Sequence, residues 1–247
     1  MQLSDFFAKY NKVALGFSGG VDSSYLLYAA KKYGAEIQPY FVKTAFQPQF
    51  ELDDANKLAA QLTIPLRVIS LDVFSKPEVI KNTSMRCYHC KRAIFGALQA
   101  AAKADGYTIL IDGTNASDDA DDRPGMRALQ ELEVLSPLRL CGITKDMVRK
   151  SSKEAGLFTW NKPAYACLAT RIPTDTPITK AALTRIEHAE DFLSSLGFSD
   201  FRVRLQENTA KLQFPENQMA RAFLLRHEIS EKLQVDFDAI VMDFKTR

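Results

Sequence analysis

Tryptophan occurs once, histidine three times and cysteine four times in this 247-residue chain, and neither sign of charge is in excess, with 32 Lys and Arg against 30 Asp and Glu. Each scarcity excludes something. A net charge of +2 makes no electrostatic case for nucleic acid or a membrane surface as the main partner. No apolar run approaches bilayer-spanning length, and residues 1–11 lack the cationic start and apolar stretch of a secretory signal, so a cytoplasmic protein with no membrane partner is expected. Four cysteines in a cytoplasmic chain of this size point to metal ligation or catalysis before a disulfide framework. Internal repeats and low-complexity segments are absent. The remainder, 46% hydrophobic and 25% charged, is ordinary globular composition.

The most informative segment is Ser18-Gly19-Gly20-Val21-Asp22-Ser23-Ser24, directly after the apolar run Lys12-Val13-Ala14-Leu15-Gly16-Phe17. It reads as a strand, a tight turn and a helix start. The glycines let the backbone approach an anion, the serines offer hydroxyls, and the helix presents its free N–H groups and positive dipole end, so the segment predicts a nest for the phosphates of ATP. It is neither a Walker A loop nor a dinucleotide fingerprint, since the spacing of both is missing. A carboxylate at Asp22 would repel the nucleotide unless a divalent cation stood between them, which implies Mg²⁺. The competing reading is a plain Gly-Gly turn with a serine helix cap.

Periodicity predicts a helix over 3–10, the strand into the turn, and a helix over 23–33 stopped by Gly34. A strand over 36–42, a helix over 50–62, a strand over 66–71, a helix over 90–104 and a strand over 107–111 follow. Strands alternating with helices mean an α/β fold, a parallel twisted sheet with helices on both faces. Ligands in such sheets sit at the carboxyl ends of the strands, so the Ser-Gly-Gly turn, Lys43-Thr44 and Asp112-Gly113-Thr114-Asn115 are expected to converge. Thr144 is a plausible cap for a helix to Ala155. The proline-containing stretch 156–177 is long and chemically varied, as functional loops are. From Ile178 the pattern becomes a small α+β domain, with a helix over 179–196, strands over 201–205 and 210–214, a helical stretch to Leu233 and a last strand over 237–242. The expected division is 1–160, a linking loop 161–177, and 178–247.

Four further segments carry chemistry. Asp112-Gly113-Thr114-Asn115 continues into Asp118-Asp119 and Arg123-Pro124-Gly125, which suits nucleotide or anion binding, though a plain polar turn has the same composition. Cys87-Tyr88-His89-Cys90 lies just before a helix, flanked by Arg86, Lys91 and Arg92, where dipole and cations favour thiolates. Its position does not resemble a thioredoxin redox motif, so metal ligation leads, with Cys167 as a third thiol and one metal position left open, or closed by His89 in a structural zinc site. Cys141 reads as a small buried residue. Arg202 and Arg204 share one face of a strand and can clamp a phosphate, and Glu187 and Glu190 share one face of the preceding helix. Solvated surface residues would show the same spacing.

Ser18–Ser23, Asp112–Asn115 with Asp118-Asp119, Arg123–Gly125, Arg86–Lys91, Ala166-Cys167-Leu168-Ala169-Thr170-Arg171 and Arg202–Arg204 appear in order, and together they resemble the LarE group of PP-loop ATP pyrophosphatases from end to end. The resemblance implies an ATP-dependent sulfurtransferase in the synthesis of the nickel-pincer nucleotide, acting on a pyridinium dicarboxylate mononucleotide. Its substrate carboxylate would be adenylated with loss of pyrophosphate, and a sulfur nucleophile would then form a thiocarboxylate. By motif match, Ser18, Gly19, Gly20, Asp22, Ser23 and Ser24 would hold the departing pyrophosphate and Mg²⁺, and Gly113, Thr114 and Asn115 would lie near the nucleotide. Arg171, Glu190, Arg202 and Arg204 would hold the substrate phosphate or shape its site. One branch of the family sacrifices the sulfur of a single cysteine, matching Cys167. In another, three cysteines ligate a 4Fe–4S cluster with an extra sulfide, and Cys87, Cys90 and Cys167 match that branch. Homo-oligomers are expected by the same resemblance, and the sulfide donor is unknown. A PP-loop tRNA thiolase, an amide-forming synthetase and a zinc-stabilised nucleotide-binding module are the alternatives.

Overall fold

Alternation along the first strands builds two cores at once. In the computed structural model, which describes residues 1–118 and 124–246, Val13, Leu15, Phe41 and Ile111 pack into one hydrophobic cluster, while their neighbours Ala14, Tyr40, Val42 and Leu110 pack into another. A strand turns successive side chains to opposite faces, so each sheet face is apolar and needs its own cover. The elements run α1 (Leu3–Lys9), β1 (Lys12–Gly16), α2 (Val21–Lys32), β2 (Glu36–Lys43), α3 (Gln49–Gln61), β3 (Arg67–Ser70), α4 (Pro77–Ile80), α5 (Arg86–Ala104), β4 (Leu110–Ile111), α6 (Pro124–Glu131), α7 (Pro137–Leu140) and α8 (Lys145–Glu154). They continue with 3₁₀ turns Phe158–Asn161 and Leu168–Arg171, then α9 (Lys180–Ser195), β5 (Arg202–Gln206), β6 (Thr209–Gln213), α10 (Glu216–Leu224), α11 (Arg226–Leu233) and β7 (Ala239–Met242).

The chain divides into two compact units, one of residues 1–79 and 85–162, the other of residues 80–84 and 163–247. In the first, four strands pair in parallel in the order β3-β2-β1-β4. The cluster containing Val13 takes buried residues from α1, α2, α3, α7 and α8, and the other takes Leu98 and Ala102 from α5 and Leu129 from α6. This is the expected α/β sheet. Strand order reverses at β1, because β2 and β3 lie to one side of it and β4 to the other. That reversal opens a crevice at the carboxyl ends of β1 and β4, where α/β sheets place ligands.

Three elements differ from expectation for identifiable reasons. α5 begins at Arg86, so the Cys87–Cys90 pair sits inside its first turn instead of before the helix; His89 N–H already donates to Met85 O (3.2 Å), and no side chain caps the start to mark it in the sequence. β4 is two residues long because Tyr107 closes the preceding helix, its N–H donating to Ala102 O (2.8 Å) after Gly106 at φ 79°. α6 occupies residues read as loop and opens on Pro124, a residue pre-set for a first helical turn. Asp119 and Arg123, singled out in the sequence, lie outside the described residues.

The second unit is a three-stranded mixed sheet, β5-β6-β7, with β5 and β6 antiparallel and β6 and β7 parallel. Ile186, Ala189 and Leu193 of α9 are buried, as are Val203 and Leu205 of β5. Asn82, fully buried at φ 59°, ties residues 80–84 into this unit: its Nδ2 donates to Pro173 O (2.8 Å) and Thr176 O (2.9 Å), and its O accepts from Asp175 N (2.9 Å). No helix among the described residues is long and apolar enough to cross a membrane.

Candidate active site

The Ser-Gly-Gly turn leaves β1 at the topological switch and is closed by its own hydroxyls. Ser23 Oγ accepts from Ser18 N (3.3 Å), lies 3.2 Å from Ser18 Oγ, and donates to Gly20 O (3.3 Å), while Gly20 N donates to Ser18 Oγ (3.3 Å). Gly19 takes φ 70°, and a Cβ there would stand 3.1 Å from Glu51 O. Gly20 then caps α2 in extended conformation with no side-chain acceptor, so α2 offers its first N–H groups outward from a glycine. Ser24 is fully buried, and its hydroxyl is one of the few buried side-chain polar atoms among the described residues with no hydrogen-bond partner.

The turn and the 112–118 segment meet, as expected. Gly113 packs so closely on the start of α2 that a Cβ would come within 2.8 Å of Ser23 N. Asn115, fully buried, donates from Nδ2 to Asp22 Oδ1 (3.1 Å), and its own Oδ1 accepts from Ser117 N (2.8 Å). Asp112 fixes the segment from behind, accepting from Thr114 N (3.2 Å), Thr114 Oγ1 (2.5 Å) and Ser136 Oγ (2.6 Å). Lys43 and Thr44, at the end of β2, bond to Gln47, with Lys43 Nζ donating to its O (2.5 Å) and Thr44 Oγ1 to its Oε1 (2.7 Å).

Two lysines that the sequence reading did not single out reach the turn. Lys145, the first residue of α8, pairs through Nζ with Asp22 Oδ2. Lys162 pairs with Asp54 Oδ2 (2.6 Å), donates to Gly19 O (3.4 Å) and keeps only 15% of its side chain exposed. The neighbouring backbone is held by Arg149, which donates to Trp160 O (2.8 Å) and Lys162 O (2.9 Å). The available signal was Lys145 itself, because a cation in the first turn of a helix opposes the dipole and needs a local anion. Asp22 offers a carboxylate, the hard oxygen donor Mg²⁺ takes, and a single carboxylate completed by phosphates and water is an ordinary Mg²⁺ site. The residues present therefore fit that ion.

Cys87 is exposed and Cys90 half-buried, one helical turn apart on α5, and Arg86 Nη2 lies 3.6 Å from Cys87 Sγ. Tyr88 between them turns into the protein, donating to Glu131 Oε2 (2.7 Å) with Arg92 and Arg127 over its ring, and His89 packs edge-on against it. Cys141 packs on the core, and burial raises its thiol pKa. All four cysteines stand outside any disulfide. Cys167 belongs to the second unit, and among the described residues no group of three or more His, Cys, Asp or Glu is gathered that could hold a metal ion.

In the second unit the predicted arginines hold the Cys167 loop. Arg171, 1% exposed, binds Glu190 through both Nε–Oε1 (2.8 Å) and Nη2–Oε2 (3.0 Å), and its Nη1 donates to Ala166 O (2.7 Å) and Thr170 Oγ1 (2.9 Å). Glu190 also accepts from Tyr165 OH (2.6 Å) and Val203 N (3.0 Å), so its four acceptor sites are filled. Arg202 donates to Ala164 O (2.9 Å) and Phe201 O (2.6 Å), and Arg204 to Thr170 O (3.0 Å) and Gln213 Oε1 (2.5 Å). Glu187 lies one turn from Glu190 on α9 and is partly buried.

Comparison with known proteins agrees with the turn and the sheet. The family described as queuosine biosynthesis protein QueC matches residues 12–92. The uncharacterized protein slr1717 of Synechocystis is 36% identical over 88% of this chain and 81% of its own. Pyridinium-3,5-bisthiocarboxylic acid mononucleotide synthase of Lactiplantibacillus plantarum is 29% identical over 94% of this chain and 85% of its own. The uncharacterized protein MJ0830 of Methanocaldococcus jannaschii is 30% identical over 92% and 86% respectively.

Proposed function

Because this chain belongs to the PP-loop superfamily, in one family with the Synechocystis and Methanocaldococcus proteins, we propose that it is an ATP-dependent sulfurtransferase that converts a carboxylate of a pyridinium dicarboxylate mononucleotide to a thiocarboxylate. The observation that carries the reading is the Ser18–Ser24 turn at the switch point, joined to Gly113–Asn115 through the Asn115–Asp22 hydrogen bond. Similarity to the Lactiplantibacillus synthase over nearly the whole chain supports the substrate, and with it a role in nickel-pincer nucleotide synthesis.

In this reading the substrate carboxylate oxygen attacks the α-phosphorus of ATP, the bond to the β-phosphate oxygen breaks, and pyrophosphate departs toward the N–H groups of the turn and of α2. Ser18, Gly19, Gly20 and Ser23 shape that anion nest, Ser24 lies beneath it in α2, and Gly113, Thr114 and Asn115 border the nucleotide. Asp22 would hold Mg²⁺, which when bound would offset charge building on the phosphates. A sulfur nucleophile then attacks the acyl carbon, giving thiocarboxylate and AMP. Arg171 and Glu190 position the Cys167 loop, while Arg202 and Arg204 lie along it where a substrate phosphate can compete for their donors. The protein is proposed to work in the cytoplasm as a homo-oligomer.

The proposed sulfur source is a 4Fe–4S cluster on Cys87, Cys90 and Cys167, which would supply sulfide. Because the described residues gather no three-thiol set, this reading rests on the motif match and on the thiol state of the three cysteines. One anaerobic preparation tests both parts. Wild type is expected to contain iron and acid-labile sulfide and, with inorganic sulfide added to replenish the cluster, to turn the mononucleotide and ATP into a thiocarboxylate over several turnovers, and Cys90→Ser to lose metal and product together. Thiouridine formed in bulk tRNA instead of the thiocarboxylate would overturn the substrate. Zinc, or full activity without iron, would overturn the cluster.

A further inference from the structure

Asp22 is held from two sides. Asn115 donates to one carboxylate oxygen and Lys145 pairs with the other. The lysine backbone is fixed, its N–H donating to Ser117 Oγ (3.0 Å) on the same loop that carries Asn115, while Thr144 caps α8 through Met147 N (3.4 Å). Its side chain is one-third exposed, so the ammonium can move while its Cα cannot. A lysine at the first position of α8 is opposed by that helix's dipole, so its place there answers to a local anion. A divalent cation needs the carboxylate oxygen that the ammonium holds, and two cations on one oxygen repel each other. The released ammonium then stands beside the phosphate nest.

We propose that Lys145 is an exchangeable counter-ion of the nucleotide site: it neutralises Asp22 until a divalent cation takes the carboxylate, and it then binds the β- and γ-phosphates of a nucleoside triphosphate and the pyrophosphate that leaves. This rests on the ATP site argued above. Lys162, held by Asp54 and Gly19 O on the other flank of the turn, stays with the loop. The device makes arrival of the metal and arrival of positive charge on the phosphates one event, so the site is neutral before ATP binds and cationic only when the polyphosphate is present.

Lys145→Gln and Lys145→Arg are compared with wild type by calorimetry with pyrophosphate plus Mg²⁺ and with AMP, and by the paramagnetic signal of Mn²⁺ added alone. Lys145→Gln is expected to bind pyrophosphate about tenfold more weakly, about 1.4 kcal/mol, with AMP affinity unchanged. It is also expected to bind Mn²⁺ alone several-fold more tightly, since the competing ammonium is gone. Lys145→Arg is expected to retain most of the pyrophosphate affinity. Unchanged pyrophosphate affinity in Lys145→Gln, unchanged or weaker Mn²⁺ binding, or equal loss of AMP and pyrophosphate in both variants would overturn the proposal. Wild type binding neither AMP nor pyrophosphate would instead remove the ATP site on which it rests.

Discussion

Arg171→Met is expected to destabilise the second unit by about 3–5 kcal/mol, the cost of leaving one member of a buried ion pair without the other. Both side chains are almost wholly out of solvent, 0% and 6% exposed, and the guanidinium meets the carboxylate through two parallel hydrogen bonds. Methionine fills much of the volume but leaves Glu190 with only Tyr165 OH and Val203 N, and leaves the carbonyl of Ala166 without its guanidinium donor. Scanning calorimetry checks this as a shift of one transition, since two compact units need not unfold together. The double variant Arg171→Met with Glu190→Leu should recover part of the loss, because no charge is then stranded although Val203 N–H loses its acceptor. Labelling of Cys167 by a thiol reagent should quicken in the single variant, the loop having lost the arginine that ties it. A loss below about 1 kcal/mol, the value of an exposed pair, would contradict the positioning role.

Gly113→Ala is expected to weaken ATP binding and cleavage by about a hundredfold, the scale of a 1 Å misplacement at a reacting centre, with about 1–3 kcal/mol of lost stability from overpacking. The reason is space. Gly113 does not take a left-handed conformation, but its Cβ would come within 2.8 Å of Ser23 N, 3.2 Å of Ser23 Cα and 3.3 Å of Asp22 C. These are backbone atoms of the helix start, so the strain moves the phosphate nest itself and cannot be relieved by a rotamer. Gly96→Ala is the control: it lies within α5 with nothing within 4 Å, and alanine there should stabilise by about 0.5–1 kcal/mol. Titration with ATP, read beside thermal unfolding, separates a local lesion from a global one. Equal ATP affinity in both variants would remove Gly113 from the site.

Much of this architecture was legible because it is written in short-range patterns. The unbroken apolar run Val13-Ala14-Leu15 signals a strand covered on both faces, Thr144 is an N-cap by residue type, and Ser18–Ser24 declares its turn through its glycines. The convergence of Gly113 and Asn115 on Asp22 followed from both segments leaving the carboxyl ends of strands in a parallel sheet. What was not legible depends on partners far along the chain. Lys145 meets Asp22 across 123 positions and Lys162 meets Gly19 across 143, and no local pattern carries such a pairing. Spacing put Arg202 and Arg204 on one strand, yet it could not tell that their donors lie on Ala164 O and Thr170 O, because the loop they bind has no periodicity. The start of α5 was missed for want of a capping side chain, and that moved the cysteine pair into the helix.

If the Ser-Gly-Gly turn serves adenylation, the bond broken in ATP is the one between the α- and β-phosphates. With ATP labelled at the α-phosphate, Mg²⁺ and the pyridinium dicarboxylate mononucleotide, the account predicts AMP and pyrophosphate, formed only when the mononucleotide is present and lost in Asp22→Asn. Release of ADP and inorganic phosphate, or cleavage that ignores the mononucleotide, would contradict it.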